Sequence, residues 1–238
     1  MTPILSRLLP EQCVLCQAAK ARNGLCARCQ LLIPRKYGPA CPVCAVDMPQ
    51  DARCNACGEL DTPFIATEAA CHYRWPLDNL IQHWKYGPDI RLSRSLGYLL
   101  HNSARRLPLP DIVVPMPIHS SRERERGFNQ SWELIRYLPA PWKKHAQSQL
   151  LTRTRQTGMQ SHRSADARIR ALAGAFSVSR PLQGESVVIV DDVLTTGSSM
   201  RHVSAALRRA GAGEIRCLVL ARADSPYEDS HASWADFT

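Results

Sequence analysis

Apolar positions along this chain recur with two periods, and each predicts its own elements. Phe64 to Tyr73 reads as a strand, after which Leu77, Leu80, Ile81 and Trp84 recur at helical spacing before the Tyr86-Gly87-Pro88 break. Leu92, Leu96, Leu99 and Leu100 predict a second amphipathic helix. Asp111 to Met116 is a short strand of buried type ended by prolines, and a helix continues through Glu133 to Leu138 after Asn129, Gln130 and Ser131. Val187 to Val190 are four consecutive β-branched residues, the signature of a strand buried on both faces. Met200, Val203, Leu207 and Ala210 then share one helical face closed by Gly211, and Ile215 to Leu220 is a further strand. Helix and strand alternate, which predicts an α/β fold.

Residues 1–62 follow neither period. They hold the pairs Cys13/Cys16, Cys26/Cys29, Cys41/Cys44 and Cys54/Cys57, and a shift of 28 residues carries the first two pairs onto the last two. The segment is therefore an internal duplication, each unit offering four thiolates from two tight turns. That donor set suits tetrahedral zinc with no vacant position, so two structural Zn²⁺ ions are expected. Units this short rarely fold without such support. Redox chemistry at a CxxC pair is the rival, although it needs only one low-pKa pair. The duplication favours sequential pairing around each metal, while the spacing also permits a cross-braced arrangement. Cys71 and Cys217 stand apart in apolar, strand-like surroundings and read as inert buried thiols. A boundary near Leu60 to Pro63 divides this segment from an α/β segment at 63–224, and a polar tail fills 225–238.

With 238 residues, 45% of them hydrophobic, the chain suits one full-sized domain plus something smaller. No apolar run approaches the roughly 20 residues of a membrane span, and Pro3 to Leu9 is too short and broken for a secretory signal. A cytoplasmic protein without membrane insertion is expected. The net charge is +9, much of it between Arg136 and Arg170, where eight Lys or Arg face Asp166 alone.

The most informative stretch is "VVIVDDVLTTGSSM" at 187–200. In open parallel sheets ligands gather beyond the carboxyl ends of the strands, which is where Asp191 and Asp192 stand. Leu194-Thr195-Thr196-Gly197-Ser198 then opens a helix, so backbone N–H groups, the helix dipole and hydroxyls converge on one anion. Gly197 lets the backbone approach closely. A phosphate in this loop with two carboxylates behind it describes a ribose 5-phosphate. The plain alternative is a buried strand running into a capped helix with two solvated aspartates.

This stretch resembles the PRPP-binding motif of type I phosphoribosyltransferases. "VVPMPIHSSRERERGFNQS" at 113–131 resembles the ComF family of bacterial competence proteins and its GntX-like relatives, as does the order of parts. The resemblance covers nearly the whole chain. It implies a type I phosphoribosyltransferase fold, a parallel sheet flanked by helices and carrying a hood, preceded by a double zinc ribbon. It also implies PRPP with Mg²⁺ at Asp191, Asp192 and Leu194 to Ser198, a pyrophosphate loop at Met116, Pro117 and Ile118, and a mobile basic flap from Arg122 to Gly127. Arg126 would join the aspartates in catalysis, in which pyrophosphate leaves the anomeric carbon through an oxocarbenium-like transition state. The acceptor nitrogen, and whether the domain catalyses at all, stay open. A surface helix laced with ion pairs is the alternative for Arg122 and Arg124. Lys85-Tyr86-Gly87 resembles the family's Lys-Tyr or Lys-Phe turn and adds Lys85 to the PRPP contacts, against a solvated lysine ending a helix. Arg155, Thr157, Gln160, Arg168, Ala175 and Phe176 match the family's pattern, whereas Arg163 and Ala171 depart from it.

A role in natural transformation, with single-stranded DNA as partner, is the function this implies. Lys143, Lys144, Arg153, Arg155, Arg163 and Arg168 would meet phosphates while Trp132, Tyr137 and Trp142 stack on bases. An ordinary basic surface with its aromatics in the core is the alternative. A phosphoribosyltransferase of nucleotide metabolism with no DNA role is the second functional class. In a third reading the zinc module is a platform for a DNA-uptake helicase or another competence protein.

Overall fold

In the computed structural model, which describes residues 12–19, 21–59, 62–87, 91–154 and 174–223, four strands form one wholly parallel sheet. They are β1 (Ala66–His72), β2 (Ile112–Pro115), β5 (Val187–Leu194) and β6 (Ile215–Arg222), in the spatial order β1-β6-β5-β2. A separate antiparallel pair is made by β3 (Leu151–Arg153) and β4 (Phe176–Val178). Helices α1 (Ala27–Leu32) and α2 (Asn55–Glu59) belong to the cysteine-rich segment, and α3 (Leu77–Tyr86) and α4 (Arg91–Ala104) follow β1. After β2 come α5 (Ser120–Arg126), α6 (Gln130–Ile135) and α7 (Ala140–Lys144), and α8 (Ser198–Arg209) crosses from β5 to β6. Among the described residues no helix is long and apolar enough to cross a membrane.

Strand alternation divides the core in two. Val188, Val190, Leu218 and Leu220 face Trp84 of α3, Leu96 of α4, Leu134 of α6 and Trp142 of α7. Val187, Ile189, Cys217 and Val219 face Met200, Val203 and Leu207 of α8, with Leu151 and Phe176 of the small pair. Both faces of the sheet are thus covered, which is why its central strands read as unbroken apolar runs. Trp84 brings its one polar atom into this interior by donating from Nε1 to Ser93 Oγ at 2.9 Å. Cys71 and Cys217 are fully buried, and burial pushes the Cys71 thiol up to about 12 and raises that of Cys217 as well.

The duplicated cysteine units straddle one edge of this sheet. Residues 34–42 between them run antiparallel beside β1: the His72 amide donates to the Pro34 carbonyl at 2.7 Å, Lys36 to Ala70 at 3.1 Å and Thr67 to Pro42 at 3.0 Å. This satisfies the polar groups that an edge strand would otherwise present. On one side of the linker Cys13, Leu25, Cys29 and Ile33 join the first core; on the other Cys41, Val43, Ala45 and Cys57 join the second. The metal-binding segment therefore shares its interior with the sheet. Residues 60 and 61 at the expected boundary, and the tail at 225–238, lie outside the described residues.

Helix α4 approaches the chain after α6 closely at Gly97, where an added Cβ would sit 2.6 Å from Tyr137 Cβ and 2.7 Å from its Cδ2. Alanine would gain about 1 kcal/mol of helix propensity there but push the Tyr137 side chain, held at its Cβ and ring, out of contact, at a cost of about 1–3 kcal/mol. Gly97→Ala should accordingly lower the thermal midpoint, and a midpoint at or above that of the wild type would contradict this packing.

Candidate functional site

The site begins where β5 outruns its neighbour. The ladder between β2 and β5 pairs Ile112 with Val187 through Pro115 with Val190, and one further bond runs from the Met116 amide to the Val190 carbonyl at 2.8 Å. Pro117 has no N–H, so pairing stops there. β5 continues to Leu194, four residues past the strand expected from its β-branched run, supported from Asp191 onward by β6 alone. A notch is left beside Asp191 and Asp192, and it is lined from α3, α6 and the turn after β2.

Both carboxylates are compensated by residues distant in sequence. Asp192 is 8% exposed, and the Lys85 ammonium, in the last turn of α3, reaches its Oδ2 at 2.8 Å. Lys85 is thus neither solvated nor a free cation. Removing one partner of a pair this buried costs on the order of 3–5 kcal/mol. Asp191 accepts at Oδ1 from Ser131 Oγ at 3.1 Å and from the Asp192 amide at 2.8 Å, which leaves Oδ2 available. Burial and the neighbouring charge of Asp192 push the Asp191 carboxyl up to about 7, against the opposing pull of Lys85 and these donors. One carboxylate is therefore paired with Lys85, while burial and its neighbour push the other up to about 7.

Beyond them Leu194 is buried and Thr195 exposed, with Thr196, Gly197 and Ser198 half-buried. Gly197 adopts φ 74°, and an added Cβ would meet nothing nearer than Leu194 Cδ1 at 3.8 Å. Its backbone conformation, more than crowding by the protein, calls for glycine. α8 starts at Ser198 with no side chain capping it from Gly197, and the Ser198 amide is only 3.4 Å from Thr196 Oγ1. The first turn of this twelve-residue helix follows directly on the two carboxylates and their loop.

Of the expected pyrophosphate turn, Met116 has its amide committed to the sheet and Pro117 carries none, so only Ile118 retains an N–H for a ligand. The stretch expected as a flap is folded as helix α5. Arg126 lies with its guanidinium over the exposed Tyr86 ring, 5.5 Å from the centroid, and donates to Gln130 Oε1 at 3.1 Å. Asn129 caps α6 by accepting from the Trp132 amide and donates to the Met116 carbonyl at 3.1 Å, pinning this helix over the end of β2. Phe128 packs against Trp84 with ring centroids 5.8 Å apart. The stretch from Arg126 to Gln130 reads as functional in the sequence, whereas Ser131 does not stand out there; its signal is its place at the end of "GFNQS".

The cysteines form two clusters, Cys13/Cys16/Cys26/Cys29 and Cys41/Cys44/Cys54/Cys57, with all sulfurs of each within 4.8 Å of one another. Pairing is sequential, and the cross-braced option does not occur. Cys16 and Cys26 Sγ are 3.7 Å apart, as are Cys44 and Cys54 Sγ. A tetrahedron with Zn–S bonds of about 2.3 Å has S···S edges of about 3.8 Å, so each cluster fits a structural zinc. The ten described cysteines are all free of disulfides.

The basic segment divides. Lys143 and Lys144 are exposed on α7, while Arg153 is half-buried, 5.6 Å over the Phe176 ring, with burial lowering its guanidinium pKa. Arg155, Arg163 and Arg168 lie outside the described residues. Trp142 corrects the expectation of base stacking: it is 4% exposed in the first core, against which Trp132 also packs, and Tyr137 lies against Gly97. The apolar contact needed to seat α7 on the sheet claims the Trp142 ring, while Trp132 and Tyr137 are half-buried.

Comparison with known proteins matches residues 140–238 to the phosphoribosyl transferase domain and residues 4–58 to the double zinc ribbon domain. DNA utilization protein YhgH of Escherichia coli (strain K12) is 34% identical over 227 residues, covering 90% of this chain and 98% of the relative. Competence protein F of Haemophilus influenzae is 33% identical over 217 residues, covering 85% and 92%. Competence protein ComFC of Bacillus subtilis is 22% identical over 201 residues, covering 81% of each.

Asp191→Asn tests the electrostatics of the notch, since the amide oxygen can keep both bonds now made by Oδ1. Free aspartate titrates near 4, so between about pH 4 and 7 the native protein binds a proton that the unfolded chain has lost. Stability from this group is therefore present at low pH and lost as pH rises toward about 7. Chemical denaturation should show wild-type stability falling by up to about 1 kcal/mol per pH unit across pH 5 to 7 relative to the variant. Parallel profiles for the two proteins would refute a raised Asp191.

Proposed function

We propose a function on one premise: the chain belongs to the family of competence protein F and the DNA utilization protein YhgH. It joins a phosphoribosyltransferase domain to a double zinc ribbon. On that premise we infer that the notch at the end of β5 binds PRPP with Mg²⁺, and that the protein serves the uptake or use of DNA, to which the names of its relatives point. The observation that carries the reading is the order of groups along one short path: an aspartate pushed up to about 7, an aspartate ion-paired with Lys85, then the start of a twelve-residue helix.

In this reading the 5-phosphate lies in the loop from Thr195 to Ser198, held by first-turn amides and hydroxyls, and Leu194 anchors the loop from below. Asp191 and Asp192 receive the ribose hydroxyls, with Lys85 holding Asp192 in place. The free Oδ2 of Asp191 is a hard oxygen donor of the kind Mg²⁺ takes, so the residues fit the ion. When bound with PRPP, Mg²⁺ neutralises the pyrophosphate leaving group. The Ile118 amide and Arg126 take the pyrophosphate end, which requires Arg126 to leave the Tyr86 ring. A carboxyl that titrates near 7 and must be ionised to bind a cation makes affinity rise with pH through that range.

Calorimetric titration of Mg²⁺ and PRPP into the wild type and into Asp191→Asn/Asp192→Asn, with pyrophosphate release followed in parallel, tests this. Binding by the wild type that strengthens from pH 6 to 8 and vanishes in the variant is expected; a wild type that binds no PRPP refutes the site. Release on adding candidate bases or DNA would make the domain an enzyme.

For DNA, the exposed Lys143 and Lys144 of α7 are the described cations best placed to meet phosphates. Affinity for single-stranded DNA should fall steeply with salt, and Lys143→Gln/Lys144→Gln should reduce the log–log slope by about 1.4, two contacts at about 0.7 each. Absent or salt-insensitive binding would favour a phosphoribosyltransferase of nucleotide metabolism.

A further inference from the structure

The buried guanidinium of Arg222 belongs to none of the groups above. It stands at the last position of β6, 5% exposed and opposite Leu194 in the ladder. Its Nη1 donates to the Leu194 carbonyl at 3.2 Å and to the Ala223 carbonyl, and its Nε donates to the Cys44 carbonyl at 2.9 Å. Among the described residues no carboxylate pairs with it. A permanent charge removed from water needs opposite charge nearby as well as hydrogen bonds.

The second cysteine cluster supplies that charge. Four thiolates around one divalent zinc carry a net charge of about −2, and Cys44 contributes its sulfur to this cluster as well as its carbonyl to Arg222. Arg222 thus grips the start of the loop from Thr195 to Ser198 and ties it to that metal site. The first cluster packs in the opposite core, away from the loop.

We propose that Arg222 is a positioning residue: it ties the Leu194 carbonyl, where β5 turns into the Thr195–Ser198 loop, to Cys44 of the second cluster, so that this metal site, and not the first, sets the geometry of the loop. The consequence for PRPP rests on the function proposed above, whereas the mechanical link does not.

The test is amide hydrogen exchange on the full zinc-loaded chain without PRPP, followed by titration with Mg²⁺ and PRPP. Arg222→Met keeps the bulk of the side chain and removes its donors. Peptides covering residues 195–202 should exchange about tenfold faster, the scale of one lost charge-assisted hydrogen bond, while those covering 92–104 stay unchanged and both zincs are retained. PRPP affinity should fall with them. Unchanged exchange over 195–202 overturns the proposal. Should Arg222→Met fail to fold, Cys54→Ser and Cys16→Ser each remove one zinc: faster exchange over 195–202 in Cys54→Ser alone supports the link, and the same response in both, or in neither, overturns it. Exchange that responds as expected in a protein that binds no PRPP would leave the link standing and refute the functional reading instead.

Discussion

Two adjacent carboxylates at the end of an apolar strand are the constraint around which the molecule is organised. Val187 to Val190 are buried at 1% exposure or less, and the next two residues are acidic. Burying both unpaired would cost more than a domain can spare. Lys85 resolves half of the problem by ion pairing with Asp192, and a raised carboxyl pKa with a hydroxyl donor resolves the other half at Asp191. Everything that brings Lys85 and Ser131 to this point follows from core packing: α3 through Trp84, α6 through Leu134 and Ile135. The apolar interior therefore positions the polar site.

Zinc enters the same architecture from the edge. Each cysteine unit is too small to own a core, and the duplication lets one unit close each face of the sheet while the linker pairs with β1. The second metal site, at the β1 edge, shares a core with Leu194 and can influence the loop after β5, two strands away. Arg222 spans that distance, since its backbone lies in β6 beside Leu194 and its side chain reaches the Cys44 carbonyl.

The basic segment shows how composition misleads when burial is unknown. Lys143 and Lys144 are exposed, yet Trp142 between Pro141 and Lys143 turns inward because α7 needs an anchor on the first core. In a helix of five residues one large ring supplies most of the available apolar area, so Trp142 serves the core.

The sequence by itself determined the elements and their type, because helix and strand periods are local: Leu77 to Trp84, Leu92 to Leu100 and Val187 to Val190 each carry their own signal. It likewise determined which thiolates group as units, through the 28-residue duplication, and the strand, acid, loop and helix order of the candidate site. Tertiary structure alone decided between sequential and cross-braced cysteines, since both satisfy the same spacing. It decided that β5 runs on to Leu194, a consequence of pairing with β6 beyond the point where Pro117 ends β2. It also chose the partners of the buried charges. Lys85 meets Asp192, Ser131 meets Asp191 and Arg222 meets Cys44 only because sheet register and core packing bring distant segments together, and no local pattern encodes such a meeting.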